Sequence, residues 1–298
     1  MKKHHILSLF LLFFCGALLA APLTEQEMQE LVQKADEYVA VEKYSKAAKV
    51  YKRLVAQPSL SNAQLAGWME KQANCLFLAG KTQKAKETYQ ELLRKCPLHV
   101  NYEVVVPRLR ALAERYVNGD GTFWGLRDRD VAVEIYGMIL RDAPAIHRSM
   151  ADRIRMAELQ EQLGDWSELI ATYQEILRLD PKQHQVRWKY AQLLFRFSEK
   201  GDGDGMRLRA AEREARTLLE NCPDFPEMAA VNHLLQEVRE TRAQRLLDLA
   251  KFYLGKAQFR PNAAKMYLQE LQEKYPNTRA WEMSKILLPV VGLAPTEK

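Results

Sequence analysis

The chain has 298 residues, of which 47% are hydrophobic and 28% charged, with a formal net charge of +6. That apolar content excludes a disordered chain, and sparse Gly and Pro (13 and 12) exclude collagen-like and low-complexity classes. The positive excess is mild and spread out, with no basic patch interleaved with stacking aromatics. It excludes a nucleic-acid footprint but suits an anionic surface or an acidic partner.

In chain order, the first element is a leader. Lys2 and Lys3 precede an apolar core, Ile6–Leu12 and Phe13–Leu19, which is short of the about 20 residues a bilayer span takes. Residues 1–20 therefore read as a signal peptide, cut after Ala20. Cys15 is a candidate lipid-attachment site, but Phe13-Phe14 directly before it fit that pattern poorly, and ordinary cleavage past it is favoured. Cys75, Cys96 and Cys222 then remain. Their odd number argues against a disulfide framework, and they read as buried, inert thiols whose redox state the sequence leaves open.

From Thr24 onward no stretch alternates with a period of two, and helical periodicity recurs in units closed by Pro58, Pro97, Pro144, Pro181, Pro223 and Pro276. Thr24–Glu27 and Ser61–Gln64 have the spacing of capping boxes. Leu31, Ala35, Tyr38 and Val39 line the first helix, and Ala47, Val50, Tyr51, Leu54 and Val55 the second. In the clearest unit, Met156, Leu159 and Leu163 line a helix ending at Gly164. Trp166, Leu169, Ile170, Tyr173, Ile176 and Leu177 then give one apolar face of the next helix, with Asp165 and Glu168 predicted to cap it. Alanine stands twelve residues before four closing prolines (Ala85, Ala132, Ala211, Ala264) and eleven before Pro58 (Ala47); Leu169 takes the place in the fourth unit. Tyr51, Tyr89, Tyr136 and Tyr173 stand seven or eight residues before theirs. Two independent features in one register resemble tetratricopeptide repeats. The predicted fold is all-α, a tetratricopeptide-repeat superhelix of about six helical hairpins with a C-terminal capping helix. Inserts at Asn118–Arg129 and Ser198–Met206 separate the helices of the third and fifth units.

The sixth unit differs. Its first helix is predicted from about Pro226 to Leu254, apolar at Met228, Val231, Leu235 and Val238, polar across Arg239–Arg245, and apolar again at Leu246, Leu249, Ala250 and Tyr253. Such a helix reads as a bridge. The expected organisation is residues 21–225 as an N-terminal repeat superhelix, 226–288 as a C-terminal module and 289–298 as a loose tail.

No catalytic constellation holds together. His99, His147, His184 and His233 are isolated, and there is no Cys-x-x-Cys, nucleophile elbow or phosphate-binding loop. Two loops begin like calcium sites, but Arg213 and Arg129 stand where the bidentate glutamate belongs. No enzyme, cofactor or metal is predicted. What remains is the concave face that first helices build in such repeats, for which Tyr38, Trp68, Gln72, Tyr102 and Arg108 are peptide-groove candidates.

Arg239–Leu288 resembles the C-terminal repeat of the BamD (YfiO) family, the tetratricopeptide subunit of the outer-membrane β-barrel assembly machine. The matching residues are Leu249-Ala250-Lys251-Phe252-Tyr253, Ala263-Ala264 and Tyr275-Pro276-Asn277-Thr278. Arg115-Tyr116 followed by Phe123-Trp124-Gly125-Leu126-Arg127-Asp128-Arg129-Asp130 resembles that family's aromatic-glycine insert. The resemblance implies an exported periplasmic scaffold at the inner face of the outer membrane, docked on a barrel-assembly subunit with periplasmic repeat domains. It also implies that the N-terminal groove takes unfolded outer-membrane protein peptides. Arg242, Arg245, Lys251, Tyr253 and Arg260 are the partner-docking candidates in the matching region. A soluble periplasmic adaptor for cell-wall or cell-division proteins is the alternative, favoured by the poor context of Cys15.

Overall fold

The computed structural model describes residues 23–120, 125–198, 205–257 and 259–294. The leader with Cys15, the insert residues 121–124 and 199–204, and the end of the tail lie outside the described residues, and with them part of both calcium-like loops.

Among the described residues there are thirteen α-helices and no strand. They are α1 (Glu25–Ala40), α2 (Tyr44–Val55), α3 (Asn62–Leu78), α4 (Thr82–Lys95), α5 (Tyr102–Asn118), α6 (Arg129–Asp142) and α7 (Met150–Leu163). The chain continues with α8 (Trp166–Leu179), α9 (His184–Ser198), α10 (Met206–Asn221), α11 (Met228–Leu254), α12 (Pro261–Lys274) and α13 (Arg279–Ser284). The described residues up to Asp152 and those from Arg153 onward form two compact units.

The turn inside a hairpin has a fixed form. After α1, Glu42 N–H donates to Val39 O and Lys43 N–H to Tyr38 O; after α3, Gly80 donates to Phe77 and Lys81 to Leu76; after α7, Gly164 donates to Glu161 and Asp165 to Gln160. This is the Schellman closure, which needs a left-handed residue at its centre. Gly80 (φ 70°) and Gly164 (φ 80°) supply it, whereas Glu42 (φ 55°) adopts it at a cost. The turn also dictates how the next helix starts. Lys43, Lys81 and Asp165 leave it with ψ of 51°, 63° and 64°, and none caps with its side chain. The predicted Asp165–Glu168 box is therefore not formed: a capping side chain swings over the helix end from an extended backbone, such as ψ 160° at Thr24 and 154° at Ser61. Those two residues, which open first helices, do form the predicted boxes with Glu27 and Gln64. A third reciprocal cap, unpredicted, opens α7: Asp152 N–H donates to Ser149 Oγ and Ser149 N–H to Asp152 Oδ2, both at 3.0 Å.

The alanine register is the core. Ala47, Ala85, Ala132, Ala211 and Ala264 have no exposed surface, and Leu169 has 1%. The first helix of each hairpin carries a buried alanine as well: Ala35, Ala73, Ala113, Ala157, Ala191 and Ala250. One turn on, the tyrosines send their hydroxyls back to that helix. Tyr51 donates to Asp36 Oδ1 (2.6 Å), Tyr89 to Asn74 Oδ1 (2.7 Å) and Tyr136 to Glu114 Oε1 (2.9 Å). The insert after α5 folds back closely. A Cβ on Gly119 would lie 2.2 Å from the Gly125 carbonyl oxygen.

In the second unit α11 serves two cores. Val231, Leu234 and Val238 pack with Trp188, Leu208, Leu218 and Phe225. Ala243, Leu247 and Ala250 pack with Ala264, Leu268, Trp281 and Leu288. Between them, polar α11 residues bond to flanking elements. Arg242 pairs with Glu212 at 2.7 Å, Arg245 donates to Ser198 O and Arg239 to Pro276 O. Arg187 of α9 is buried against Glu214 of α10. After α13, where a loose tail was expected from Pro289, the chain makes 3₁₀ turns at Lys285–Leu287 and Pro289–Val291, and Val291 and Leu293 pack onto the C-terminal core.

Two stability predictions follow from this geometry. Glu42→Gly relieves left-handed strain at an exposed turn and raises the unfolding free energy by about 0.5–1 kcal/mol in urea denaturation. Gly119→Ala combines a positive φ with a backbone clash and lowers it by at least about 2 kcal/mol.

Asp152 gives a pH test. Its side chain is 3% exposed and takes both prongs of Arg110, at 2.7 and 2.8 Å. Burial by itself pushes the carboxyl up, but the hydrogen bonds from Arg110 and Ser149 together carry it below its ordinary value. A carboxyl lowered in the folded state contributes stability above its unfolded pKa of about 3.9 and loses it as pH falls through the folded value. Asp152→Asn is expected to destabilise at pH 7 and to flatten the acid limb of the stability–pH curve below about pH 4.

Candidate partner-binding surfaces

The first unit carries an open groove of about 650 Å³ between α1 and α3. Its α1 wall is Glu25, Met28, Gln29, Val32, Gln33, Asp36, Glu37 and Ala40, alternating steps of three and one residues along one helical face; Gln64 and Trp68 of α3 form the other wall. Helix α1 is thus apolar on two sides. Its buried Ala35, with the half-buried Leu31, Tyr38 and Val39, lies on the side turned to α2, while Met28, Val32 and Ala40 line the groove. The charges on the lining are all acidic: Glu25, Asp36 and Glu37. Asp36 accepts from Tyr51 and lies 3.7 Å from Lys71 Nζ; among the described residues no cation lies within ion-pair distance of Glu25 or Glu37.

Of the five groove candidates, Trp68 alone lines this groove. Tyr38 is half-buried, with Lys46 Nζ 5.8 Å from its ring centre, and Gln72 is half-buried further along α3. Tyr102 is used in packing: its hydroxyl, with one proton to donate, lies 3.1 Å from the Pro97 carbonyl and 3.3 Å from the Asp142 carbonyl, and its ring stacks on His147. Arg108 lies over Phe77 at 5.3 Å, beside Arg115, which covers the same ring at 3.7 Å and bonds to the Phe77 carbonyl. Met28, Val32 and Glu37 were missed. Their sequence signal was the second apolar stripe at positions 28, 32 and 40.

The second surface is on the C-terminal hairpin. Tyr253 of α11 stacks on Tyr267 of α12 with ring centres 5.7 Å apart, and Phe252 meets Tyr253 edge-on at 5.2 Å. The same hairpin leaves large apolar side chains in solvent: Phe252 is 57% exposed, Phe259 61% and Met266 70%. Met283, Ile286 and Val290 beyond α12 are exposed as well. Of the docking candidates, Lys251 and Arg260 are exposed and Tyr253 is half-buried in the ring stack. Arg242 and Arg245 are engaged internally, as described above.

Chemistry is sparse on both surfaces. Burial pushes the Cys75 thiol up to about 11 and raises that of Cys96, which keeps these two cysteines protonated and unreactive at neutral pH. All three described cysteines are free. Among the described residues no three His, Cys, Asp or Glu side chains gather as a metal would require, and no helix is long and apolar enough to cross a membrane.

The tetratricopeptide repeat family profile matches residues 69–99 and 246–278. The first stretch covers the end of α3 and all of α4; the second covers the end of α11, α12 and the turn to α13. A solved structure of the C-terminal part of a TPR repeat-containing protein from Cytophaga hutchinsonii is similar at 14% identity. It covers 84% of this chain and 98% of that one, with a TM-score of 0.29. No curated protein matches the sequence. The chain is an all-helical protein carrying tetratricopeptide repeats, an architecture that serves as a scaffold for protein–protein interaction.

Proposed function

We propose that this protein is a non-enzymatic scaffold of the outer-membrane β-barrel assembly machinery, exported to the periplasm and held at the inner face of the outer membrane. The observation that carries the reading is the set of exposed aromatic and methionine side chains on the C-terminal hairpin, Phe252, Phe259 and Met266, beside its Tyr253–Tyr267 stack in the chain. It falls within Arg239–Leu288, the segment whose sequence resembles the BamD family. Aromatic residues, methionine and arginine are the types enriched at interfaces, and Arg260 is exposed in the same segment, with Lys251 suited to a polar rim. In this reading the hairpin docks on the barrel-inserting subunit, while the α1–α3 groove of the first unit receives a segment of a client protein.

The poor lipid-attachment context of Cys15 favours a second reading, a soluble periplasmic adaptor. Cross-linked pull-down of tagged protein from its own cell envelope separates the two. The scaffold reading expects a β-barrel membrane protein with periplasmic repeat domains. Phe252→Glu with Met266→Glu, both at exposed positions, is expected to reduce its recovery at least about tenfold while leaving the unfolding midpoint unchanged. Recovery of soluble cell-wall or division proteins alone overturns the scaffold reading in favour of the adaptor.

A further inference from the structure

We infer that the α1–α3 groove takes a cationic amphipathic helix from a partner chain. The inference rests on the chain being a protein-binding scaffold, but not on which complex it serves.

Shape argues for a helix. The groove wall runs the full length of α1, from Glu25 to Ala40, at the i, i+3, i+4 spacing of one helical face. At about 1.5 Å per residue, those 16 residues offer an edge about 24 Å long. The ridges of such a face are filled best by the ridges of a second helix laid alongside, with anchors at i, i+3 or i+4 and i+7. Met28 and Val32 on one side and Trp68 on the other supply the apolar floor for those anchors. A methionine in such a floor adapts to different partner side chains.

Charge argues for its sign. Three carboxylates line the groove and no Lys, Arg or His does, on a chain whose overall charge is +6. Glu25 lies at the start of α1 and Glu37 three turns on, so the acidic groups bracket the apolar floor. An occupant with Lys or Arg flanking its apolar stripe answers both ends, while an acidic one meets unpaired carboxylates at each.

The test uses the processed full-length protein and a fluorescein-labelled Leu/Lys amphipathic helix of about 18 residues, long enough to fold on binding. Its controls are the same peptide with every Lys replaced by Glu, and a scramble that keeps the composition but destroys the apolar face. Fluorescence anisotropy is expected to show the Lys peptide binding at least about tenfold tighter than either control, with the difference shrinking as salt rises. Glu25→Gln with Glu37→Gln is expected to weaken the Lys peptide by about fivefold to tenfold, and Trp68→Ala to weaken it independently of salt. Equal binding of the Lys and Glu peptides overturns the charge assignment. Binding of the scramble overturns the helix, and absence of binding overturns the site. Concentration-dependent dimerisation that Trp68→Ala abolishes overturns it in favour of a second copy of this chain. The same measurement on the chain that retains residues 1–20, if that chain binds no Lys peptide, overturns the partner in favour of the chain's own leader. Recovery of the barrel protein by the Glu25→Gln, Glu37→Gln variant reports on the scaffold reading separately, so either can fail alone.

Discussion

Everything else in this molecule depends on how closely the two helices of each hairpin approach. Fully buried alanines stand on both helices of a hairpin at Ala35 and Ala47, Ala73 and Ala85, Ala113 and Ala132, Ala191 and Ala211, and Ala250 and Ala264. A side chain that ends at Cβ lets the backbones come together and leaves no cavity. The tyrosine one turn further on then has a fixed distance to span. Its hydroxyl meets an acceptor on the first helix in three successive hairpins. A buried hydroxyl without a partner costs more than the bond gains, so this bond sets the register of one helix against the other. The fourth hairpin keeps a buried alanine on its first helix, Ala157, and has the buried Leu169 in the second-helix position.

That constraint is local, which explains what the chain tolerates elsewhere. The spacing from first-helix to second-helix alanine is 12 in the first two hairpins, 19 in the third and 20 in the fifth. The longer connections leave the buried pairs unchanged, because loop length adds only a slowly growing entropy. They do need their ends brought back together. In the third hairpin this is done by Gly119, where only a residue without Cβ fits against the returning chain, and by Asp128, which caps α6 through Val131 N–H and donates its own N–H to Tyr116 O.

The same locality decides how much could be read from the sequence. Counting back from the closing prolines found the second-helix alanines and the tyrosines, because no insert falls between them and their proline. The partner alanines Ala73, Ala113 and Ala191 lie on the far side of turns of different length, so no single period exposed them. The turn chemistry was half legible. Thr24 and Ser61 cap as their spacing predicts, whereas Asp165 has the right spacing but the wrong backbone, imposed by the Schellman turn before it. Tyr102 was an equally reasonable groove residue by type and helix. Its hydroxyl instead lies within hydrogen-bond reach of two carbonyls, those of Pro97 and Asp142, which no pattern along one helix reveals.

The groove was hidden for a related reason. Helix α1 opens the repeat array of the first unit. In an interior repeat a stripe such as Met28, Val32 and Ala40 would read as packing for a preceding hairpin. Here the stripe lies open beside Trp68, and the acidic residues on its edges change its meaning. A terminal face that only needs to stay soluble is served by charges of either sign, scattered over it. One that keeps methionine and valine on one wall and tryptophan on the other, with carboxylates as its charges on a basic chain, suits an occupant of opposite charge.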